Sequence, residues 1–144
     1  MINMKKTLFT TLLVLVTISI HSQEIFGKWE SKDLETGTVD SVIEIYKKDG
    51  KAYAKIVEIK DETKRAALCT FCKGKNKDQP VLGMEILSGL EKKEDEWSGG
   101  TILDPRSGKI YKCYIKLVNT NKLKLRGYIG ISLFGKTEYM ERLE

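Results

Sequence analysis

From Ile25 onward, hydrophobic and polar positions alternate over much of the chain. Ile43 and Ile45 share one face and Glu44 takes the other. Tyr111, Cys113, Ile115 and Leu117 alternate with Lys112, Tyr114 and Lys116. Leu123, Leu125, Gly127, Ile129 and Ile131 alternate with Lys122, Lys124, Arg126 and Tyr128. A period of two is that of a strand with one face buried and one in water. Between these runs stand turn signals: Asp49-Gly50, Asp104-Pro105-Arg106-Ser107-Gly108 and Asn119-Thr120-Asn121. Strands are expected at Ile25–Trp29, Thr38–Lys47, Lys51–Lys60, Val81–Leu90, Thr101–Leu103, Tyr111–Leu117, Leu123–Ile131 and Lys136–Leu143. About eight short strands joined by hairpin turns predict an all-β fold, a single antiparallel meander closing into a barrel.

The pattern breaks in informative places. Ala52, Ala54 and Ile56 lie on one face, and the apolar set then passes to Val57 and Ile59, as across a β-bulge. Asp61 to Pro80 is polar, basic and without period, and reads as a long loop or a loop holding a short helix. Val81 to Leu90 is apolar; Gly83 and Gly89 would each weaken a helix by ~1 kcal/mol, which favours a strand. Glu91 to Glu96 reads as a charged turn, and Gly99-Gly100 permits a bend or a close backbone approach after Trp97.

The first 22 residues carry a different message. Lys5 and Lys6 precede an apolar run from Leu8 to Ile20, and His21-Ser22-Gln23 follows. This predicts a signal peptide over residues 1–22, cut near Ser22, a single domain over 23–144, and a periplasmic or secreted protein. The apolar run is short of the roughly 20 residues of a membrane span. Cleavage removes the one histidine, His21, and with it Ser-His and Cys-His catalytic pairs and histidine metal sites. It also removes Lys5 and Lys6 and no acid, so the net charge of +5 becomes +3. So mild an excess, interspersed with Asp and Glu, is that of a solvated surface and gives no nucleic-acid groove.

Gly27-Lys28-Trp29, Pro80 to Leu90, Trp97-Ser98-Gly99-Gly100, Asp104-Pro105 with Ser107-Gly108-Lys109 and Tyr111, Leu125-Arg126-Gly127-Tyr128 with Gly130, Gly135-Lys136-Thr137 and Arg142 stand in one order along the chain. Together they resemble a bacterial exported family, domain of unknown function 2147. The resemblance spans the mature chain and implies no activity. Gly27-Lys28-Trp29 near the start and Arg142 near the end also resemble the ends of lipocalin or calycin barrels. That resemblance implies a closure pair, Trp29 and Arg142, with the guanidinium laid on the indole where first and last strands meet.

Three constellations hold candidate chemistry. Cys69-Thr70-Phe71-Cys72, among Lys64, Arg65, Lys73, Lys75 and Lys77, reads as a disulfide stapling the loop, a redox-active pair or half of a metal site. A metal would need two more ligands, and Cys113 on the inward face is the one further cysteine. The aromatic and basic residues Trp97, Tyr111, Tyr114, Arg126 and Tyr128 are candidate ligand-binding residues, against a plain packing role for each. Alternation turns Tyr111 inward and Tyr114, Arg126 and Tyr128 outward, with any barrel mouth expected beside Trp97. Asp104 reads as the residue its own turn requires. No nucleophile elbow, phosphate loop or calcium loop occurs, so no catalytic residue, metal or cofactor is assigned. The expected function is non-enzymatic binding of a small apolar or amphipathic ligand inside the barrel, unless bulky inward residues fill it. The alternatives are an envelope protein-interaction module using the outward Tyr and Arg face, and a thiol-disulfide protein using Cys69 and Cys72.

Overall fold

A computed structural model describes residues 24–33 and 36–143; the expected signal peptide lies outside them. Eight antiparallel strands follow one another around a closed barrel: β1 Gly27–Lys32, β2 Val39–Lys48, β3 Lys51–Ile59, β4 Glu85–Lys93, β5 Glu96–Asp104, β6 Lys109–Asn119, β7 Lys122–Tyr128 and β8 Gly135–Arg142. Each strand pairs with its sequence neighbours, and β8 returns to β1 through Trp29 opposite Arg142 and Glu30 opposite Glu141. Consecutive pairing needs only short connections, which is why alternation and turns suffice to specify it.

The two ends of the barrel are built differently. At one end β2–β3, β4–β5 and β6–β7 are joined by two-residue turns, Asp49-Gly50, Glu94-Asp95 and Thr120-Asn121. Asp49 and Gly50 both have positive φ, 51° and 77°, the twist a tight hairpin requires. Here the barrel is filled. Trp29 is wholly buried and donates its indole N–H to Ile25 O at 2.8 Å. Trp97 meets Phe26 edge to face at 5.4 Å, and Leu90, Ile115 and Leu123 pack around them. The Arg142 guanidinium lies 4.2 Å over the Trp29 ring. It donates to three carbonyls as well: Thr120 O at 2.8 Å, Phe26 O at 3.0 Å and Glu24 O at 2.7 Å. Gly27 makes this possible: its φ is +122°, and a Cβ there would come within 3.3 Å of Arg142 Nη1. One arginine thus caps the core and satisfies backbone oxygens that no strand reaches.

Several sequence expectations move by a few residues, each for a local reason. β1 begins at Gly27, and Ile25 and Phe26 precede it as part of the plug. β4 begins only at Glu85, because Gly83 takes φ +86° and donates its N–H to Ile56 O. The expected charged turn at Glu91–Glu96 is mostly strand, turning at Glu94-Asp95 alone. The expected short strand at Thr101–Leu103 is the end of the nine-residue β5, whose register shifts between Trp97 and Gly100. A Cβ on Gly100 would run into the backbone of Ser88 and Leu90, so glycine there lets β4 and β5 close up. The switch after Ile56 is a bulge: Ile43 faces Ile56 but Val42 faces Glu58, leaving Val57 as the extra residue. β7 stops at Tyr128, and Ile129 and Ile131, expected inside, are exposed in the following loop.

The opposite end carries the long connections. Residues 60–84 hold two single-turn helices, Glu62–Lys64 and Gly74–Asn76. This loop folds against the outside of the barrel and forms a small second core from Cys69, Cys72, Met84 and Leu103. Cys69 and Cys72 are disulfide-bonded and almost fully buried, and Cys69 Sγ rests 3.3 Å from Pro105 O. The Asp104–Gly108 turn fits beneath it. A Cβ on Gly108 would strike the backbone of Phe71 and Cys72.

Candidate functional site

Above the filled half, the barrel interior opens into a cavity of about 610 Å³. This lies inside the range typical of small-molecule sites, roughly 300–1,000 Å³. Its wall is largely apolar and draws on inward positions of six strands: Ile43, Ile56, Ile102, Tyr111, Leu125 and Met140. The reason is a change of side-chain size. Gly127 stands where β7 would otherwise send an inward side chain, and the bulky residues that fill the other half give way to open space.

Charged groups line the cavity as well, Asp40, Asp104, Arg106, Lys136 and Glu138 among them. β8 sends Met140 into the core, so Glu138, two positions earlier and opposite Leu125, points inward as well. Glu138 is half-buried and makes no hydrogen bond or ion pair among the described residues. Burial raises its pKa above the usual carboxylate value; Arg106 and Lys136 oppose this rise, and Asp40 and Asp104 add to it. Arg106, at the rim, is already engaged by Asp33 and by Asp104, each at 3.7 Å. Asp104 also accepts from the Arg106 N–H at 3.0 Å and the Ser107 hydroxyl at 2.9 Å, the hydrogen bonds of its own turn.

The five candidate ligand residues separate. Tyr111 lines the cavity, and Tyr128 borders it at the end of β7. Trp97 sits in the filled half beside Phe26, away from the mouth expected next to it, because β5 starts at Glu96, directly after the Glu94-Asp95 turn of the closed end. Tyr114 faces outward with Lys124 5.6 Å over its ring. Arg126 also faces outward, but its fork is turned on the β7–β8 loop: Nε donates to Ser132 O at 2.6 Å, Nη2 to Leu133 O at 3.3 Å and Nη1 to Thr137 Oγ1 at 2.7 Å. Lys116, beside it on the expected partner face, pairs with Asp95 at 2.7 Å. Glu138 was not singled out by sequence. The signal was available in its spacing, two residues before Met140 and four before Arg142.

The thiol chemistry is hemmed in. Both disulfide sulfurs are shielded by the second core, which blocks the attack that exchange requires. Cys113 is free and buried against the barrel interior, and burial pushes its thiol up to about 12. It behaves as a small hydrophobe.

The barrel has a counterpart of known structure. Among solved structures, protein HP1028 from the human pathogen Helicobacter pylori, described as belonging to the lipocalin family, superposes with a TM-score of 0.74. The likeness covers 84% of each chain at 23% identity and is one of fold. No curated protein matches the chain. Residues 27–142, the whole barrel, match the family described as "Uncharacterized protein conserved in bacteria (DUF2147)", and the chain belongs to that family.

Proposed function

We propose that this protein is an exported, non-enzymatic carrier of a small amphipathic molecule held in the open half of the barrel. The cavity carries this reading: about 610 Å³ of space with largely apolar walls and an inward carboxyl, Glu138, that makes no hydrogen bond or ion pair among the described residues. An apolar body would bury against Ile43, Ile56, Ile102 and Leu125, gaining about 25 cal/mol per Å² of apolar surface removed from water. A carboxyl in such a wall calls for a donor, so the polar end of the ligand is a hydrogen-bond donor and preferably a cation. The lipocalin-family description of the structural neighbour and the signal-like residues 1–22 are consistent with an exported binder. Among the described residues no helix is long and apolar enough to cross a membrane, and the disulfide suits an oxidising compartment.

The test is displacement of a neutral fluorescent probe, N-phenylnaphthylamine, by a medium-chain amine, alcohol and carboxylic acid of equal chain length. The amine should displace best. Glu138→Gln should weaken the amine about tenfold, the loss of a charge-assisted hydrogen bond, and leave the alcohol nearly unchanged. Ile102→Trp, at a half-buried wall position, should abolish probe uptake by filling the cavity while the fold is kept. Probe binding that survives Ile102→Trp would remove the reading.

A further inference from the structure

Both loops that overhang the cavity mouth end in bare apolar side chains. In the β7–β8 loop, Ile129, Ile131, Leu133 and Phe134 are exposed, Leu133 at 79% and Phe134 at 71%. Across the mouth the 60–84 loop presents Phe71, at 70%, and Leu68. Ile129, Phe134, Leu68 and Phe71 all also border the cavity. Isolated exposed apolar residues are ordinary, but six gathered on the rim of one opening are not. Nor are they the by-product of a slack loop. Arg126 holds the loop from beneath through Ser132 O and Leu133 O, and Ile129 N–H bonds Phe134 O at 3.2 Å. The side chains of Leu133 and Phe134 are thereby kept on the outside of a shaped loop.

The surroundings of these tips are basic. Residues 60–84 carry six basic side chains, Lys60, Lys64, Arg65, Lys73, Lys75 and Lys77, against three acids, Asp61, Glu62 and Asp78. Lys64 and Lys136 line the cavity together with Asp33, Asp40, Asp61 and Asp104, so the positive excess lies on the 60–84 loop and not in the cavity lining. Lys73, Lys75 and Lys136 take part in no ion pair among the described residues. At the closed end the apolar residues are packed inside as a plug and offer no such rim.

We propose that the open end of the barrel docks on an anionic lipid bilayer, with the β7–β8 loop and Phe71 entering the interface and the lysines meeting the headgroups. Apolar tips supply burial in the acyl boundary, and nearby Lys and Arg side chains add attraction to an anionic surface. Docked in this way, the mouth faces the phase in which an amphipathic molecule is concentrated. Ile131 and Leu133 lie outside the cavity lining, so docking through them and ligand binding can fail independently.

The probe is Leu133→Trp in the purified protein with vesicles of phosphatidylglycerol or of phosphatidylcholine. Trp29 and Trp97 are buried at the other end and give a constant background. The emission of the Leu133→Trp variant should shift to the blue on phosphatidylglycerol and be quenched by brominated acyl chains. Phosphatidylcholine should give several-fold weaker partition, and raising salt from about 0.1 M to about 0.5 M should weaken the anionic case severalfold. In the otherwise native chain, Ile131→Ser with Leu133→Ser, both exposed and outside the cavity lining, should lower vesicle partition at least tenfold, as expected for removing two large apolar side chains from the interface. That pair should leave N-phenylnaphthylamine uptake intact, whereas Ile102→Trp should spare vesicle binding. Equal partition on both lipids, or no vesicle shift, would overturn the proposal. So would a blue shift on adding probe without vesicles, which would make the loop a lid.

Discussion

The Glu138 carboxyl bears on the chemistry of the cavity, and it also costs the fold something. Glu138 has its pKa raised in the folded protein, chiefly by burial, so the folded state holds its proton more tightly than the unfolded state. Its contribution to stability is then largest at acid pH, where it is protonated in both states. That contribution is lost as pH rises through the folded value. Glu138→Gln should therefore raise the melting temperature at about pH 7, and the gain should fade below about pH 4, near the ordinary carboxylate range. Thermal melts of both proteins across that window check this; a variant less stable than the parent at pH 7 would show that the carboxylate is paired. The same titration bears on binding, since an amine held by Glu138 should dissociate on acidification at a higher pH than an ordinary Glu would allow. This residue was invisible to the sequence reading for a physical reason. β8 has only Met140 as a fully buried position, so alternation there is too sparse to be read without Arg142 as a second inward marker.

At the level of elements, legibility followed burial. Ile43 with Ile45, and Cys113 with Ile115, alternate because one face is inside and the other is in water, and there the sequence reading and the structure agree. Ile129 and Ile131 continue the same alternation beyond the strand, yet they are solvent-facing. Periodicity reports chemistry, and it cannot tell a core from an exposed apolar rim. The 60–84 loop was legible only as a loop with a cysteine pair open to a staple, a redox or a metal role, since its packing depends on Gly108 accommodating Phe71 and Cys72, a contact between distant residues. The staple closes a very short segment, so the entropic gain is only about 2 kcal/mol. Cys69→Ala with Cys72→Ala should lower stability by about that much. The damage should be confined to this loop, read as faster hydrogen exchange in residues 60–84 with β1–β3 and β6–β8 unchanged. Uniform loss of protection around the barrel would mean that the second core supports the whole sheet.

On the scale of the whole molecule, the barrel divides its labour along its axis. One end is a plug of Trp29, Trp97 and Phe26 under Arg142; the other is a cavity ringed by long loops. The general plan was readable because a meander needs only local connections, and the family resemblance read from Gly27-Lys28-Trp29 and Arg142 agrees with the matched family. Whether the interior was full or empty was not readable, since both halves are lined by the same kinds of residue and differ only in how far side chains reach across. The capping arginine has one more consequence. By donating to Glu24 O at 2.7 Å while β8 lies beside β1, Arg142 brings the two ends of the described chain within reach of each other, on the side away from the mouth. Around the barrel the strands form a circle in which no link is privileged, and the peptide could be cut elsewhere. A permuted chain joined by a short linker from Leu143 to Glu24 and opened between Asp49 and Gly50 should keep every strand neighbour and the same probe affinity, losing only the stability of one tight hairpin. Circular dichroism and probe titration would read both, and the mouth would not register where the chain begins.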